Sequence, residues 1–208
     1  MTANKTSKSI SVMLVDDYPV VRVGYRRLLE STEDIHVIAE AGDGETGYLL
    51  CQEHQPDVVI LDLEDAVAPE AKAEARAAAI AAVNEGGFGH RLLVVRVNAL
   101  DTEWGPADLA ALAGCAPDAI LVPKLCHPDE ASIYRQQLGY GPELWAMLET
   151  CIAFTQLSAI SAKAASAKLT TYVMGTNDLA LEMRAKLDTE RAPFQALLTQ
   201  AVINARAY

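Results

Sequence analysis

A chain of 208 residues with 51% hydrophobic content can bury one sizeable core, while a net charge of −11 excludes the basic footprint that duplex DNA or an anionic membrane surface requires. The polar start MTANKTSKS lacks a signal-peptide core and no apolar run approaches the roughly 18 residues of a membrane span, so a soluble, cytoplasmic protein without nucleic-acid or membrane partners is expected. Cys51, Cys115, Cys126 and Cys151 show no CxxC spacing and read as reduced thiols, and His36, His54, His90 and His127 are too scattered for a zinc site.

Short β-branched runs alternate with longer Ala/Leu-rich helical patterns, the signature of parallel βα units. Strands are expected at ISVMLVDD (10–17), HVIAEA (36–41) and DVVILDL (57–63), each followed by a helix, over 19–31, 44–54 and 69–84. The rhythm continues with RLLVVRVN (91–98), AILVPKL (119–125), LWAMLET (144–150) and TTYVMGTND (170–178), with helices over 106–114, 128–138, 154–166 and 179–186. A last helix spans 192–207. Seven near-continuous apolar strands imply a sheet covered on both faces, or a barrel wall. NEGGFGH is the most loop-like segment, and no linker, repeat or low-complexity tract interrupts the rhythm. One continuous domain is expected.

The first chemical constellation lies within residues 10–63. VMLVDD ends a strand in two acids, YPVVRVGYRRLLE has helical apolar spacing, and VVILD ends another strand in an acid. Carboxylates gathered at one edge of a parallel sheet can hold a hard cation through oxygen ligands. In the order DDYPVVRVGYRRLLE, AEAGDGETGYLL, PDVVILDL, this segment resembles the receiver domain of bacterial response regulators. The resemblance implies that Asp16 and Asp17 hold Mg²⁺ and that Asp62 accepts a phosphoryl group. The pattern then stops: the next strand ends VVRVN, without the hydroxyl residue a receiver carries there.

From Asp57 onward the chain resembles another family, on ILDLEDAVAPEAKAEAR, VVRVNALDTEWGPADLAAL, PDAILVPK, LWAMLET and VMGTNDLALEMRA. It is the citrate lyase β-subunit and HpcH/HpaI aldolase family, whose members cleave or form carbon–carbon bonds in acyl-CoA thioesters on a TIM barrel. The motifs fall at carboxyl ends of expected strands, where barrel enzymes place their chemistry. The resemblance implies that Glu149 and Asp178 bind Mg²⁺ and that Arg96 grips the substrate carboxylate with its planar fork. Glu64 and Asp65 then complete the acidic pocket, and Lys124 lies nearby as a fixed cation. Taken singly, Glu149 or Asp178 reads as a helix cap, Arg96 as a structural ion pair and Lys124 as a solvated strand end.

DVVILDL is therefore common to both patterns. The two resemblances imply a receiver-like segment over 1–63 that runs into a partial lyase barrel over 57–208, with two receiver strands expected where the first barrel strand belongs and the last strands expected to be missing. Receiver topology places its first two helices on opposite sheet faces, whereas a barrel keeps every helix outside. A helix is too large to replace the side-chain layers of a small barrel. The expected α/β architecture is thus an open, incompletely closed, mostly parallel sheet ordered 2-1-3-4-5-6-7. The inner face of its later strands is poorly covered, which predicts an apolar patch and self-association.

The leading functional expectation is a derivative of a Mg²⁺-dependent acyl-CoA carbon–carbon lyase, with a CoA thioester as substrate and its native activity weak or lost. An aspartyl phosphoacceptor is the alternative, with Asp16, Asp17 and Asp62 as its site and Lys124 where a receiver also keeps a lysine. A recombined fold without native function is the third.

Overall fold

The structure, a computed structural model, describes residues 9–15, 19, 22, 23, 26, 35–139, 141–187 and 191–208. Asp16 and Asp17, and most of the helix expected over 19–31, lie outside the described residues. In chain order the elements are β1 (Ile10–Val15), β2 (Ile35–Ala41), α1 (Gly44–His54), β3 (Val58–Asp62), α2 (Lys72–Glu85), β4 (Leu92–Arg96) and α3 (Gly105–Leu112). There follow β5 (Ala119–Val122), α4 (Pro128–Leu138), β6 (Glu143–Leu148), α5 (Cys151–Ser161), α6 (Ala164–Ala167), β7 (Leu169–Met174), α7 (Thr176–Met183) and α8 (Gln195–Ala207).

Among the described residues seven strands form two sheets, in place of the single sheet ordered 2-1-3-4-5-6-7. Among the described residues β1 pairs with β2, in parallel, from Ile10 opposite Ile35 to Val15 opposite Ala41. β3 to β7 make a five-stranded sheet in sequence order, with β3 and β7 at its edges among the described residues.

The chain divides into two compact units, one of residues 1–59 and 87–92, the other of 60–86 and 93–208. In the first, Val37, Ala39, Ala41, Cys51 and Phe88 are buried, and Tyr48 meets the Phe88 ring edge-on at 6.2 Å. Asp43 starts α1 because its Oδ1 accepts from Thr46 N at 2.8 Å, filling one of the donors a helix N-terminus leaves open. The buried Arg91 donates to Phe88 O at 2.6 Å and to Cys51 O at 2.9 Å, tying the 87–92 segment to the end of α1.

In the second unit β4, β5 and β6 are buried on both faces, as expected of central strands in a parallel sheet. One face carries Leu148, which packs with Phe154, Leu157, Leu179, Phe194 and Ala201 from the surrounding helices. The other carries Val94, Ala119, Leu121, Trp145 and Met147, which pack on one another, with Trp145 and Met147 only 9% exposed. Large side chains from adjacent strands fill the centre of this inner face, while Val58 and Ile60 on β3 and Leu92 at the start of β4 remain exposed. The exposed large apolar residues of this unit include Leu181 on α7 and Val202 and Ile203 on α8. Among the described residues no helix is long and apolar enough to cross a membrane.

Candidate functional site at the sheet edge

The carboxyl ends of β3 to β7 converge on one edge of the second unit, the position where parallel α/β sheets assemble sites from different strands. Asp62 is the last residue of β3. Its Oδ1 accepts from Glu64 N at 2.9 Å and its Oδ2 from Ala66 N at 3.2 Å, folding the following residues into a turn that presents Glu64 and Asp65. Arg96 is the last residue of β4. Its Nε donates to Asp62 Oδ1 at 2.6 Å while Nη2 donates to Oδ2, a bidentate pair. Its Nη1 lies 2.9 Å from Glu64 Oε2 and 3.4 Å from Asp65 Oδ2. Burial alone would raise the Asp62 carboxyl, but the hydrogen bond and charge of Arg96 outweigh it and hold Asp62 below the usual range.

Lys124 follows β5 in a left-handed backbone conformation, φ 51°, which a non-glycine residue seldom adopts. That turn aims its N–H at Glu149 Oε1, 2.7 Å away, and leaves Nζ 3.1 Å from Glu64 Oε1 and 3.9 Å from Asp178 Oδ2. Burial would lower this lysine, yet the hydrogen bond to Glu64 and the charges of Glu64, Asp65 and Glu149 raise it.

Glu149 follows β6 and is 2% exposed. Burial pushes its carboxyl up to about 7; the Lys124 N–H opposes that rise, and the charges of Glu64 and Asp178 add to it. Glu64, 6% exposed, is likewise raised by burial against the pull of Arg96. Its Oε2 is buried and makes no hydrogen bond of its own despite lying within ion-pair distance of Arg96.

The structure thus links Asp62, Glu64, Asp65, Arg96, Lys124, Glu149 and Asp178 into one cluster. Asp178 is not at a strand end, however: β7 stops at Met174 and Asp178 sits in the first turn of α7. Gly175 breaks the strand there. A Cβ on it would lie 2.5 Å from Glu149 Cβ and 2.6 Å from Glu149 Oε2, so glycine is what lets this backbone close over the Glu149 side chain. The capping role open to Glu149 belongs to its neighbour Thr150, whose Oγ1 accepts from Ala153 N at 3.2 Å to start α5. Arg96 does not offer a free fork either, since Asp62 occupies its Nε–Nη2 edge. Gly175 and the Asp62–Arg96 pair escaped the sequence reading, although a glycine inside VMGTND is itself a signal that the strand ends.

Five carboxylates in this cluster face two cations, and oxygen donors of this kind suit a hard divalent ion. Among the described residues no group of three or more His, Cys, Asp or Glu side chains forms a metal cage. Glu149 and Asp178 are carboxylates of the kind of which Mg²⁺ takes one or two while keeping several waters.

Residues 48–208 match the model of the HpcH/HpaI aldolase/citrate lyase family. The chain belongs to that family. Residues 12–64 match the response regulator receiver domain, so the two matches overlap through β3. Among curated relatives of this HpcH/HpaI chain, the (3S)-malyl-CoA thioesterase of Cereibacter sphaeroides is 42% identical over 152 residues, covering 73% of this chain and 52% of that protein. The L-malyl-CoA/beta-methylmalyl-CoA lyase of the same organism is 47% identical over 72 residues, 33% of this chain and 23% of that protein. The chain spans about half the length of the thioesterases it matches. Of solved structures, RipC from Yersinia pestis aligns with a TM-score of 0.65 at 21% identity, covering 98% of this chain and 74% of RipC. CitE from Mycobacterium tuberculosis in complex with magnesium and pyruvate aligns with a TM-score of 0.65 at 22% identity, covering 99% and 72%. These two likenesses establish a citrate-lyase-like α/β fold, with the barrel left open.

Proposed function

We propose that the Arg96–Glu149 cluster is an acyl-CoA site of the lyase type, which cleaves the carbon–carbon bond of malyl-type CoA thioesters slowly. The observation that carries this reading is the linked cluster of five carboxylates around Arg96 and Lys124, with Glu149 buried at its floor. Glu149 and Asp178 would hold Mg²⁺, which when bound supplies a Lewis acid for the enolate that develops as the bond breaks. Arg96 would give the substrate carboxylate its Nη1, which Glu64 and Asp65 hold in the free chain. Glu64, with its raised carboxyl and with Asp65 beside it, accepts the hydroxyl proton as the carbon–carbon bond breaks, and the enolate carbon takes a proton from water to give acetyl-CoA. Lys124 balances the charge between Glu64 and Asp178. The low rate follows from the open barrel: misplacement by about 1 Å costs roughly a hundredfold.

The test is steady-state turnover of malyl-CoA in Mg²⁺, followed as acetyl-CoA and glyoxylate. Slow formation of both, abolished by Arg96→Ala, is expected, and no Mg²⁺-dependent turnover would sink the reading. Pyruvate with Mg²⁺, the pair named for the similar CitE structure, serves as a binding probe of the same site. The longer match to a thioesterase favours a second reading, hydrolysis of the thioester, which releases malate and a free CoA thiol instead. The overlapping family matches support a hybrid descent, and the cytoplasm is its proposed location.

A further inference from the structure

Behind the turn that presents Glu64 and Asp65 lies a buried lysine that takes no part in the cluster. Lys72 opens α2 and is 6% exposed. Its Nζ donates to Leu63 O at 2.8 Å, Glu64 O at 2.6 Å and Asn98 Oδ1 at 2.8 Å. Three bonds use every donor of an ammonium, and all three acceptors are neutral oxygens. The Trp104 ring covers the same group, its centroid 5.1 Å from Nζ.

Asn98 is fixed in turn. Its Nδ2 donates to Leu63 O at 2.8 Å and Asp108 Oδ2 at 2.7 Å, and its backbone N to Asp108 Oδ2 at 2.9 Å. The fully buried Asp108 accepts from Arg76 Nε at 2.6 Å through its other oxygen. The network therefore joins two strand ends: Leu63 and Glu64 follow β3, and Asn98 stands two residues beyond Arg96 at the end of β4. Packing alone does not call for an ammonium here, since an apolar side chain of similar volume fills buried space without a desolvation cost. What the ammonium adds is direction, because it holds two successive carbonyls to fixed points and so fixes the backbone from which Glu64 and Asp65 project.

We propose that Lys72, through Leu63 O, Glu64 O and Asn98, is a positioning residue that sets the Glu64 and Asp65 carboxylates against Arg96 and Lys124. The inference rests on the reading of that cluster as an acyl-CoA site. Without Lys72 the turn keeps the bonds from Glu64 N and Ala66 N to Asp62, from Leu63 N to Arg96 O, from Asn98 Nδ2 to Leu63 O and from Val67 N to Glu64 O, but loses the one group that holds the Leu63 and Glu64 carbonyls together.

Amide hydrogen exchange on the ligand-free full chain tests this directly, comparing the parent chain with Lys72→Met, which keeps length and volume. Exchange over residues 63–67 is expected to quicken at least tenfold, with α4 and α5 unchanged. No change over 63–67, or equal quickening throughout the chain, overturns the proposal. If Lys72→Met does not fold, Asn98→Ala is measured in its place and judged by the same two outcomes. Calorimetry with Mg²⁺ and pyruvate supplies the functional arm. Lys72→Met should weaken pyruvate at least tenfold and Mg²⁺ less than threefold, because Glu149 and Asp178 lie outside the network. A loosened turn with unaltered pyruvate affinity also overturns the proposal. A parent chain that binds no pyruvate refutes the acyl-CoA reading instead, and the exchange result then still decides the role of Lys72 in holding the turn.

Discussion

Asp62 and Arg96 end neighbouring strands and meet edge to edge, Nε on Oδ1 and Nη2 on Oδ2. Each carboxylate oxygen also accepts a backbone N–H, from Glu64 and Ala66 respectively. One residue thereby shapes the acidic turn and aims the guanidinium. It also leaves Asp62 with few free lone pairs, although the receiver-like pattern marks it as a phosphoacceptor.

Replacing Asp62 by Asn keeps the shape and removes the charge. Losing a charge-assisted bond of this kind costs about 1.5–3 kcal/mol, so pyruvate affinity in Mg²⁺ should fall roughly ten- to hundredfold by calorimetry. Unaltered affinity would assign the placement of Arg96 to Glu64. With acetyl phosphate the parent chain should take up hydroxylamine-labile label slowly at most and Asp62→Asn none. Fast, stoichiometric labelling would mean that the pair opens readily.

Glu149→Gln should weaken Mg²⁺ binding at least a hundredfold and Asp178→Asn should weaken it less, while Asp17→Ala leaves it alone. A proton competes with the ion at Glu149, so affinity should drop about tenfold per pH unit below 7. Titration calorimetry at pH 6, 7 and 8 checks both statements. Loss of binding in Asp17→Ala alone would move the cation to the receiver-like segment.

The same carboxyl makes stability fall as pH rises. Glu149 is raised from 4.5 to about 7 in the folded chain, so between these values the native state binds the extra proton. Stability is then fully present below 4.5 and lost as pH climbs through 7, the reverse of what the depressed Asp62 contributes at lower pH. Allowing for solvent screening at the mouth of the site, the loss is about 1–2 kcal/mol. Urea unfolding without metal at pH 5 and 8 measures it. A slope that persists in Glu149→Gln would point to another group.

Gly175→Ala tests the close approach of α7 to Glu149. The added Cβ meets Glu149 Cβ, an atom that cannot swing away, so backbone must shift. Overpacking of this kind costs about 1–3 kcal/mol, and Mg²⁺ affinity should fall with it because Glu149 is displaced. A variant with parental stability and affinity would show that the helix start yields freely.

The sequence conveyed the βα rhythm closely, and α1 and α4 end where their apolar spacing and caps place them, at 44–54 and 128–138. Strand ends overshot because apolar runs outlast the ladder: Val97 and Asn98 are buried like the strand before them, yet β4 stops at Arg96. The acids and Arg96 were legible one by one as strand-end residues. Their pairing was not, since Asp62 and Arg96 stand 34 positions apart and meet only once β3 lies beside β4. Lys72 was hidden for a similar reason, because its acceptors include two backbone carbonyls that no side-chain pattern reveals.

The left-handed backbone at Lys124 sets two selective pressures against each other. Gln55, Lys168 and Arg184 share that conformation as ordinary helix C-caps, but Lys124 adopts it directly after a strand, where its N–H serves Glu149. Glycine would adopt the same turn without the penalty of about 1 kcal/mol that a side chain incurs. Directed evolution for heat resistance alone would therefore drift toward glycine at 124, retaining the N–H and discarding the ammonium between Glu64 and Asp178. Robustness and chemistry part ways at a single Cβ.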